Sequence, residues 1–187
     1  MFTFLNMQVM AKSKKKSNFW KLFLAIIICE IAVVISGLVS QADTNVWFKA
    51  LNKPSWNPPS YFFGPAWIFL YLLMGISIWL IWESHAKESL KINAELVFAL
   101  QLFLNFLWSI LLFRFHSPLL ALITIVLLLT VVLFTFYYFV RISFIAAGLL
   151  SPYLAWLLFV AVINFSIWSM NKTVVVQTPI IHHNFSK

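Results

Sequence analysis

Charged residues are scarce in this chain, and acidic residues are scarcer still. Only 10% of the 187 residues are charged, with 5 Asp and Glu against 13 Lys and Arg. The hydrophobic share of 63% and the mean hydropathy of +0.94 are typical of a membrane protein. Because the basic residues lie in short connections and tails, they orient the chain and meet anionic lipid. The sequence therefore predicts lipid as a partner and no nucleic-acid binding.

Cysteine and glycine are also rare, occurring once and four times respectively. Cys29 lies inside an apolar run, which excludes an intramolecular disulfide and a cysteine-based metal site. We find no glycine-rich phosphate loop, no His/Glu pair at metal spacing and no nucleophile elbow. Adjacent histidines in a tail, here His182 and His183, are more often solvated than metal-bound, and we assign them no role. No metal and no cofactor is predicted.

Apolar residues are instead grouped in five blocks of about twenty, the length at which an α-helix crosses the hydrocarbon core. The blocks cover residues 19–39, 65–82, 93–113, 118–140 and 142–170. Short connections between the later blocks predict antiparallel neighbours in a compact bundle. The predicted fold class is all-α, a polytopic bundle of five transmembrane helices. Residues 1–18 form a basic extension, 19–171 the membrane domain and 172–187 a tail.

The first block has two unusual features. A lysine-rich segment precedes it and Ser40-Gln41-Ala42 follows it, as in a cleavable secretory signal, although about twenty apolar residues exceed the usual signal core. Glu30, near its middle, is either a functional residue or a carboxyl that is neutral or hydrogen-bonded to a neighbouring helix.

The distribution of basic residues bears on the orientation of the chain in the membrane. If the N-terminus is cytoplasmic, eight Lys and Arg lie on the cytoplasmic side and five on the other, which favours this orientation by a small margin.

The connection between the first two blocks, Ser40 to Gly64, is the longest in the chain. Its prolines, Pro54, Pro58 and Pro59, stiffen it against helix formation. The sequence therefore predicts a long proline-rich loop that folds over one end of the bundle.

Polar and aromatic side chains share helix faces at membrane depth. They are Gln101, Asn105 and Trp108 in the third block, Tyr153, Asn164 and Asn171 in the fifth, and Trp67, Tyr71 and Met74 in the second. Because an unpaired carboxamide is costly in hydrocarbon, we expect these faces to point inward. Two interpretations follow. The amides hold helices together, which is their commoner role, or they line a pocket with the indoles for a flat, mostly apolar ligand.

Four ordered motifs carry a family resemblance. They are W-F-x-x-L-x-K-P-x-W-x-P-P at 47–59, F-G-P-A-W-x-x-x-Y-x-x-M-G at 63–75, Q-L-x-x-N-x-x-W-S at 101–109 and P-Y-L-A-W-x-x-F-x-x-x-x-N at 152–164. With them the chain resembles the TspO/MBR family of tryptophan-rich sensory proteins and translocator proteins, also called peripheral-type benzodiazepine receptors. The resemblance implies a five-helix membrane bundle, commonly a homodimer, whose pocket binds porphyrins such as protoporphyrin IX and benzodiazepine-type ligands.

The resemblance also implies roles for individual residues. The implied ligand-binding residues are Trp47, Trp67, Tyr71, Asn105, Trp108 and Trp156, and the implied lid residues are Lys53, Pro54, Trp56, Pro58 and Pro59. Phe48 stands where many members have Tyr, which removes a hydroxyl and puts a ligand contact there in doubt. The last helix has Phe165 and no nearby Arg or Lys where animal members carry a sterol pattern, so sterol binding there is not supported.

We therefore predict a tetrapyrrole-binding membrane protein of transport or sensory character, with porphyrin as ligand. Two alternatives stay open. One is light- or oxygen-dependent porphyrin degradation involving Trp67 and Trp156, and the other is a structural or partner-binding membrane protein whose amides only join helices. Residue usage and the missing sterol pattern favour a bacterial inner membrane over a mitochondrial outer membrane.

Overall fold

The computed structural model describes residues 18–44 and 47–172, which are mostly helical and include no strand. The helices are α1 (Phe19–Thr44), α2 (Trp47–Ala50), α3 (Ser60–Glu83), α4 (Glu88–Ser109), α5 (Pro118–Ile142) and α6 (Phe144–Met170). Five of them are long and apolar enough to cross a membrane, α2 being the short exception. The protein is a multi-pass integral membrane protein with the predicted all-α, five-span fold. The basic extension and the tail lie outside the described residues, apart from Asn18 and Lys172.

The first connection is shorter than the sequence predicted. Helix α1 continues to Thr44, α2 forms within the expected loop, and α3 begins at Ser60. The prediction that the second span begins at Pro65 was wrong by five residues, because a proline in the second helical turn removes only one backbone hydrogen bond. The non-helical segment between α2 and α3 is 51–59.

The helices form a closed ring in the order α1, α3, α6, α5, α4, with the end of α4 returning to α1. The short connections from α4 to α5 and from α5 to α6 join ring neighbours, as predicted, whereas α3 and α4 are joined by residues 84–87 and are not neighbours in the ring. The shortest connection is Ser143 alone, which ends α5 and begins α6 with an extended backbone. Its hydroxyl oxygen accepts a hydrogen bond from the Ala146 amide at 3.3 Å, which caps α6. Ring neighbours are antiparallel except α1 and α4, which run parallel because five helices cannot alternate in direction around a closed ring, and the ring encloses one core.

Helix α1 is a packed member of the ring. A Cβ atom added to Gly75 of α3 would lie 2.8 Å from the Ile26 Cα, so α1 and α3 touch backbone to backbone at this point. Farther along α1, Glu30 is half-buried, and its Oε1 has no hydrogen-bond partner among the described residues. The structure thus assigns no interhelical hydrogen bond to that oxygen, and a functional role for Glu30 stays an open prediction.

Candidate ligand-binding cavity

A cavity of about 480 Å³ lies between α1, α3, α4 and α6, in the half of the bundle where α1 ends and α3 begins. Its volume is within the range of small-molecule sites. The wall is mostly apolar, with a few amide and hydroxyl groups. The residues that form it are Val33, Val34, Ser36, Gly37, Leu38 and Ser40 of α1, Phe48 of α2, Ser60, Phe63, Gly64, Trp67 and Ile68 of α3, Asn105, Trp108, Ser109, Leu112 and Phe113 at the end of α4, and Val160, Ile163, Asn164 and Ile167 of α6.

The predicted polar face of α4 points inward, as expected. Gln101, Asn105 and Trp108 are all buried, and Asn105 and Trp108 stand on the cavity wall. Gln101 lies one helical turn from Asn105 and is fully buried away from the wall. Neither polar atom of its amide has a hydrogen-bond partner among the described residues. The face therefore contributes two wall residues and one unpaired amide behind them.

The amides of the wall also join the helices. The Asn105 amide nitrogen donates to the Tyr153 hydroxyl oxygen at 3.0 Å, which links α4 to α6. The Trp108 indole N–H donates to the Asn164 carbonyl oxygen at 3.0 Å, and the Asn164 amide donates to the Pro118 carbonyl at 2.9 Å. Asn105, Trp108 and Asn164 thus join helices and also line the cavity, while a ligand role for them stays a prediction. A ligand cannot use the Trp108 N–H without breaking the bond to Asn164.

Trp67 is the centre of an aromatic cluster. Its ring centroid lies 6.1 Å from those of Trp108 and Trp156 and 6.1 Å from that of Tyr71. Of the implied ligand residues in this cluster, Trp67 and Trp108 reach the wall, whereas Tyr71 and Trp156 pack behind Trp67. The Trp156 indole N–H is buried and has no acceptor among the described residues. The cluster therefore gives the cavity wall a broad aromatic surface, and further aromatic rings pack behind it.

Helix α2 closes the end of the bundle over the cavity. Trp47 stacks on His116 with 4.5 Å between ring centroids, and His116 has a positive φ of 51° in the turn before α5. Phe48 packs against Phe113 at 5.5 Å, and both rings are on the wall. Trp47 is not on the wall. Phe48, where the sequence put a ligand contact in doubt, is therefore part of the cavity surface. Ligand binding by Trp47 stays a prediction.

The five implied lid residues lie outside the cavity wall. Lys53 places its ammonium nitrogen 4.7 Å from the Phe48 ring centroid and donates to the Leu51 carbonyl at 3.3 Å. Burial lowers the pKa of Lys53 below its ordinary value. Trp56 packs on Phe159 of α6 at 6.1 Å. The segment 51–59 thus supports α2 and rests on α6, and a direct lid role for Lys53, Pro54, Trp56, Pro58 and Pro59 stays a prediction.

A pair of asparagines ties this segment to α6. The Asn52 backbone N–H donates to the Asn171 side-chain oxygen at 3.0 Å, and the Asn171 amide donates back to the Asn52 carbonyl at 2.9 Å. The same amide donates to the Ile167 carbonyl at 2.7 Å, and Asn171 is buried. We call this arrangement the end clamp. The sequence placed Asn171 on the inner stripe of α6 but gave no indication of its partner.

Three serines of the wall were missed by sequence reasoning. The Ser40 and Ser109 hydroxyl oxygens are 3.0 Å apart, and the Ser109 hydroxyl donates to the Ser36 carbonyl at 3.2 Å. They join α1 to α4 at the cavity. The i, i+4 spacing of Ser36 and Ser40 was the available signal. The π-helical turn Ile110–Arg114 follows α4 and contains Leu112 and Phe113 of the wall. It gave no signal in the sequence.

Comparison with known proteins gives consistent matches. The profile of the TspO/MBR family matches residues 25–169. The chain is 39% identical to the tryptophan-rich protein TspO of Archaeoglobus fulgidus over 79% of its own length and 95% of that protein. It is 38% identical to the translocator protein of Sus scrofa over 67% and 75% of the two chains. It is 30% identical to the tryptophan-rich sensory protein of Cereibacter sphaeroides over 81% and 92%.

Proposed function

Because this chain belongs to the TspO/MBR family, we propose that its cavity binds a tetrapyrrole of the protoporphyrin IX type and that binding serves transport or sensing. The observation that carries the proposal is the aromatic wall of the cavity. Trp67, Trp108, Phe48, Phe63 and Phe113 all line it. Aromatic faces stack on a flat conjugated ring and bury a large apolar area.

Polar groups on the wall support the orientation of such a ligand. The Asn105 amide nitrogen is held by Tyr153, and the side chain stands on the wall beside Trp108. Hydroxyl groups of Ser40 and Ser109 lie on the same wall. A few fixed polar groups in an apolar cavity are the usual means by which a binding site selects one orientation of its ligand. The names of the relatives, translocator and sensory protein, fit a transport or sensory role.

A titration tests the proposal. Protoporphyrin IX is added in the dark to the purified protein in lipid nanodiscs, and tryptophan fluorescence is followed against empty nanodiscs mixed with free tryptophan. We expect saturable quenching at one porphyrin per chain. Absence of saturable quenching would contradict the proposal and favour a structural or partner-binding protein.

The indole cluster favours a second candidate, light-dependent degradation of the porphyrin. Trp67 meets both Trp108 and Trp156 within 6.1 Å between centroids, so an oxidised indole has indole neighbours. In such a reaction dioxygen is the oxidant and the porphyrin macrocycle is oxidised. After the dark titration, the bound porphyrin is illuminated and its absorbance followed. Stable absorbance favours binding alone, whereas bleaching faster than that of free pigment favours degradation.

We include a homodimer in the proposed function, as the family resemblance implies. Helix α1 offers a surface for it, since 11% of its most apolar stretch is buried inside the chain, against 33 to 39% in the other spans. Its outer face exposes large apolar side chains, among them Phe23, Ile27 and Ile31. Single-molecule photobleaching of labelled protein in nanodiscs tests this oligomeric state. Two bleaching steps support the dimer, and one step at all protein-to-disc ratios would contradict it.

A further inference from the structure

The cavity has two boundaries of different character, one toward the water at the end of the bundle and one toward the lipid at its side. At the end, Phe48 packs on Phe113, Trp47 stacks on His116, and the end clamp holds the following segment on α6. These contacts join α2 and its connection to the π-helical turn after α4, to the turn before α5 and to the residue that follows α6. At this end, α2 and the segment that follows it are packed against the bundle beside the cavity.

The side between α1 and α3 is built differently. Three residues of the cavity wall are mostly exposed, namely Val34 at 55%, Leu38 at 63% and Ile68 at 54%. In a membrane-spanning bundle, an exposed side chain in the middle of a span contacts lipid. Val34 and Ile68, which lie well inside their spans, therefore border both the cavity and the bilayer.

Depth in the membrane follows from helix geometry. Val34 lies six residues before the end of its span at Ser40, which is about 9 Å along the axis. Ile68 lies eight residues after the start of its span at Ser60, which is about 12 Å. Both positions are below the headgroup region, where the neighbouring solvent is hydrocarbon.

Glycines explain why the two helices leave space here. Gly37 lies eleven residues after Ile26, and Gly64 lies eleven residues before Gly75. Eleven residues are about three helical turns, so each pair shares one helix face. At Ile26 and Gly75 the helices touch, whereas no described atom lies within 4 Å of a Cβ added to Gly37 or Gly64. The facing surfaces of α1 and α3 are therefore in contact at one level and apart three turns away.

We propose that ligand enters and leaves the cavity from the hydrocarbon core of the bilayer, through a side opening framed by Val34, Gly37, Leu38, Gly64 and Ile68. The ligand class is a flat apolar molecule that partitions into lipid, which rests on the proposed function. The end of the bundle stays closed by α2 and the end clamp during this exchange. Filling the side opening slows both entry and exit, and locking the end clamp leaves both unchanged.

Substitution of the frame glycines tests the route. Gly37→Leu and Gly64→Leu, singly and together, place side chains in the opening, and Gly148→Leu is the matched control because a Cβ there also meets no described atom within 4 Å. Stopped-flow quenching by protoporphyrin IX gives the two rates in nanodiscs. We expect dissociation as well as association to slow by about tenfold or more relative to Gly148→Leu, whereas a side chain that only weakened binding would speed dissociation. Rates no slower than those of Gly148→Leu would overturn the proposal.

Locking the end tests the competing route from water. Asn52→Cys and Asn171→Cys are joined by a short thiol crosslinker in a Cys29→Ala background, which removes the native cysteine. The asparagines already contact each other, so the crosslink preserves the closed arrangement. We expect the same rates of porphyrin association and dissociation before crosslinking, after crosslinking, and after the crosslink is reduced and formed again. Slower exchange only in the crosslinked protein would overturn the side route.

A measurement without porphyrin separates this proposal from the proposed function. A nitroxide is attached at Ile163→Cys, a wall position, in the Cys29→Ala background. Its collisions with dioxygen, which concentrates in hydrocarbon, are compared with those of a neutral water-soluble nickel chelate. We expect dioxygen contact without chelate contact, and less dioxygen contact in the glycine variants. Chelate contact exceeding dioxygen contact would overturn the side opening, even in a protein that binds no porphyrin. The comparison of dioxygen and chelate contact can be made on the protein without the leucine substitutions. It therefore still tests the side opening if a leucine variant does not fold.

Discussion

Trp67 and Trp156, from different helices, meet edge to face with ring centroids 6.1 Å apart and ring planes at 89°. Trp67 is on the cavity wall and Trp156 packs behind it. Phenylalanine retains most of the ring area but lacks the N–H and the easily oxidised indole. We expect Trp67→Phe and Trp156→Phe to keep porphyrin affinity within about tenfold, or about 1.4 kcal/mol. Any light-dependent bleaching falls, and falls most in Trp67→Phe.

Absorbance under illumination provides the check for these variants, with Trp20→Phe as the control because Trp20 is 62% exposed on the outer face of α1. Equal bleaching by the parent and both cluster variants would remove these indoles from the chemistry.

Asn105 and Tyr153 can be separated by two substitutions that break the same hydrogen bond. Asn105→Leu changes the cavity wall, whereas Tyr153→Phe leaves it intact because Tyr153 lies behind it. Both variants lose thermal stability, since each removes one partner of a buried bond at a cost of about 1 to 3 kcal/mol. Only Asn105→Leu also weakens porphyrin binding. Equal affinity in the folded fractions of both variants would show that the Asn105 amide serves only to join helices.

The bond from Trp108 to Asn164 predicts a coupling energy between α4 and α6. A double-mutant cycle with Trp108→Phe and Asn164→Ala isolates it, measured by unfolding in mixed detergent. Interhelical hydrogen bonds in membranes average about 0.6 kcal/mol, with a maximum near 1.7 kcal/mol. We expect a value toward the upper end because Asn164 also donates to Pro118. A coupling energy of zero would contradict the stabilising role of this bond.

The end clamp predicts local protection of the segment after α2. Asn171→Ala removes both bonds to Asn52, and at about 1 kcal/mol each the Asn52 amide should exchange roughly 10 to 30 times faster. Ser166→Ala is the control, because Ser166 is half-buried and its hydroxyl donates to the Val162 carbonyl of its own helix, away from Asn52. Hydrogen exchange monitored by mass spectrometry measures both. Unchanged exchange at Asn52 would show that the clamp does not hold this segment.

Much of the fold follows from features that are local in the sequence. Apolar length predicts the five spans, and the spacing of Gln101, Asn105 and Trp108 predicts an inward face. Those predictions needed no knowledge of neighbours, and the structure confirms them. The second block was drawn from Pro65, whereas α3 begins at Ser60, since a proline is tolerated near the start of a helix.

The site was less predictable because its geometry depends on contacts distant in sequence. Asn52 and Asn171 are 119 residues apart, and no local pattern pairs them. The π-helical turn Ile110–Arg114 after α4 follows from no residue pattern identified in the sequence. A Cβ added to Gly75 would meet Ile26, whereas one added to Gly37 or Gly64 would meet no described atom within 4 Å, and the sequence does not distinguish these glycines. The sequence identified the polar and aromatic side chains, and the packing decided which of them reach the cavity.

Filling the cavity tests the central claim most directly. Ile163→Trp places an indole in the cavity from a wall position, and Val140→Trp places the same indole on an exposed position of α5. Protoporphyrin IX is titrated into both variants and the parent in the dark, in nanodiscs of one lipid composition. We predict saturable binding to the parent and to Val140→Trp, with at least about tenfold, or 1.4 kcal/mol, weaker binding to Ile163→Trp. Equal affinities for all three proteins would contradict the assignment of this cavity as the porphyrin site.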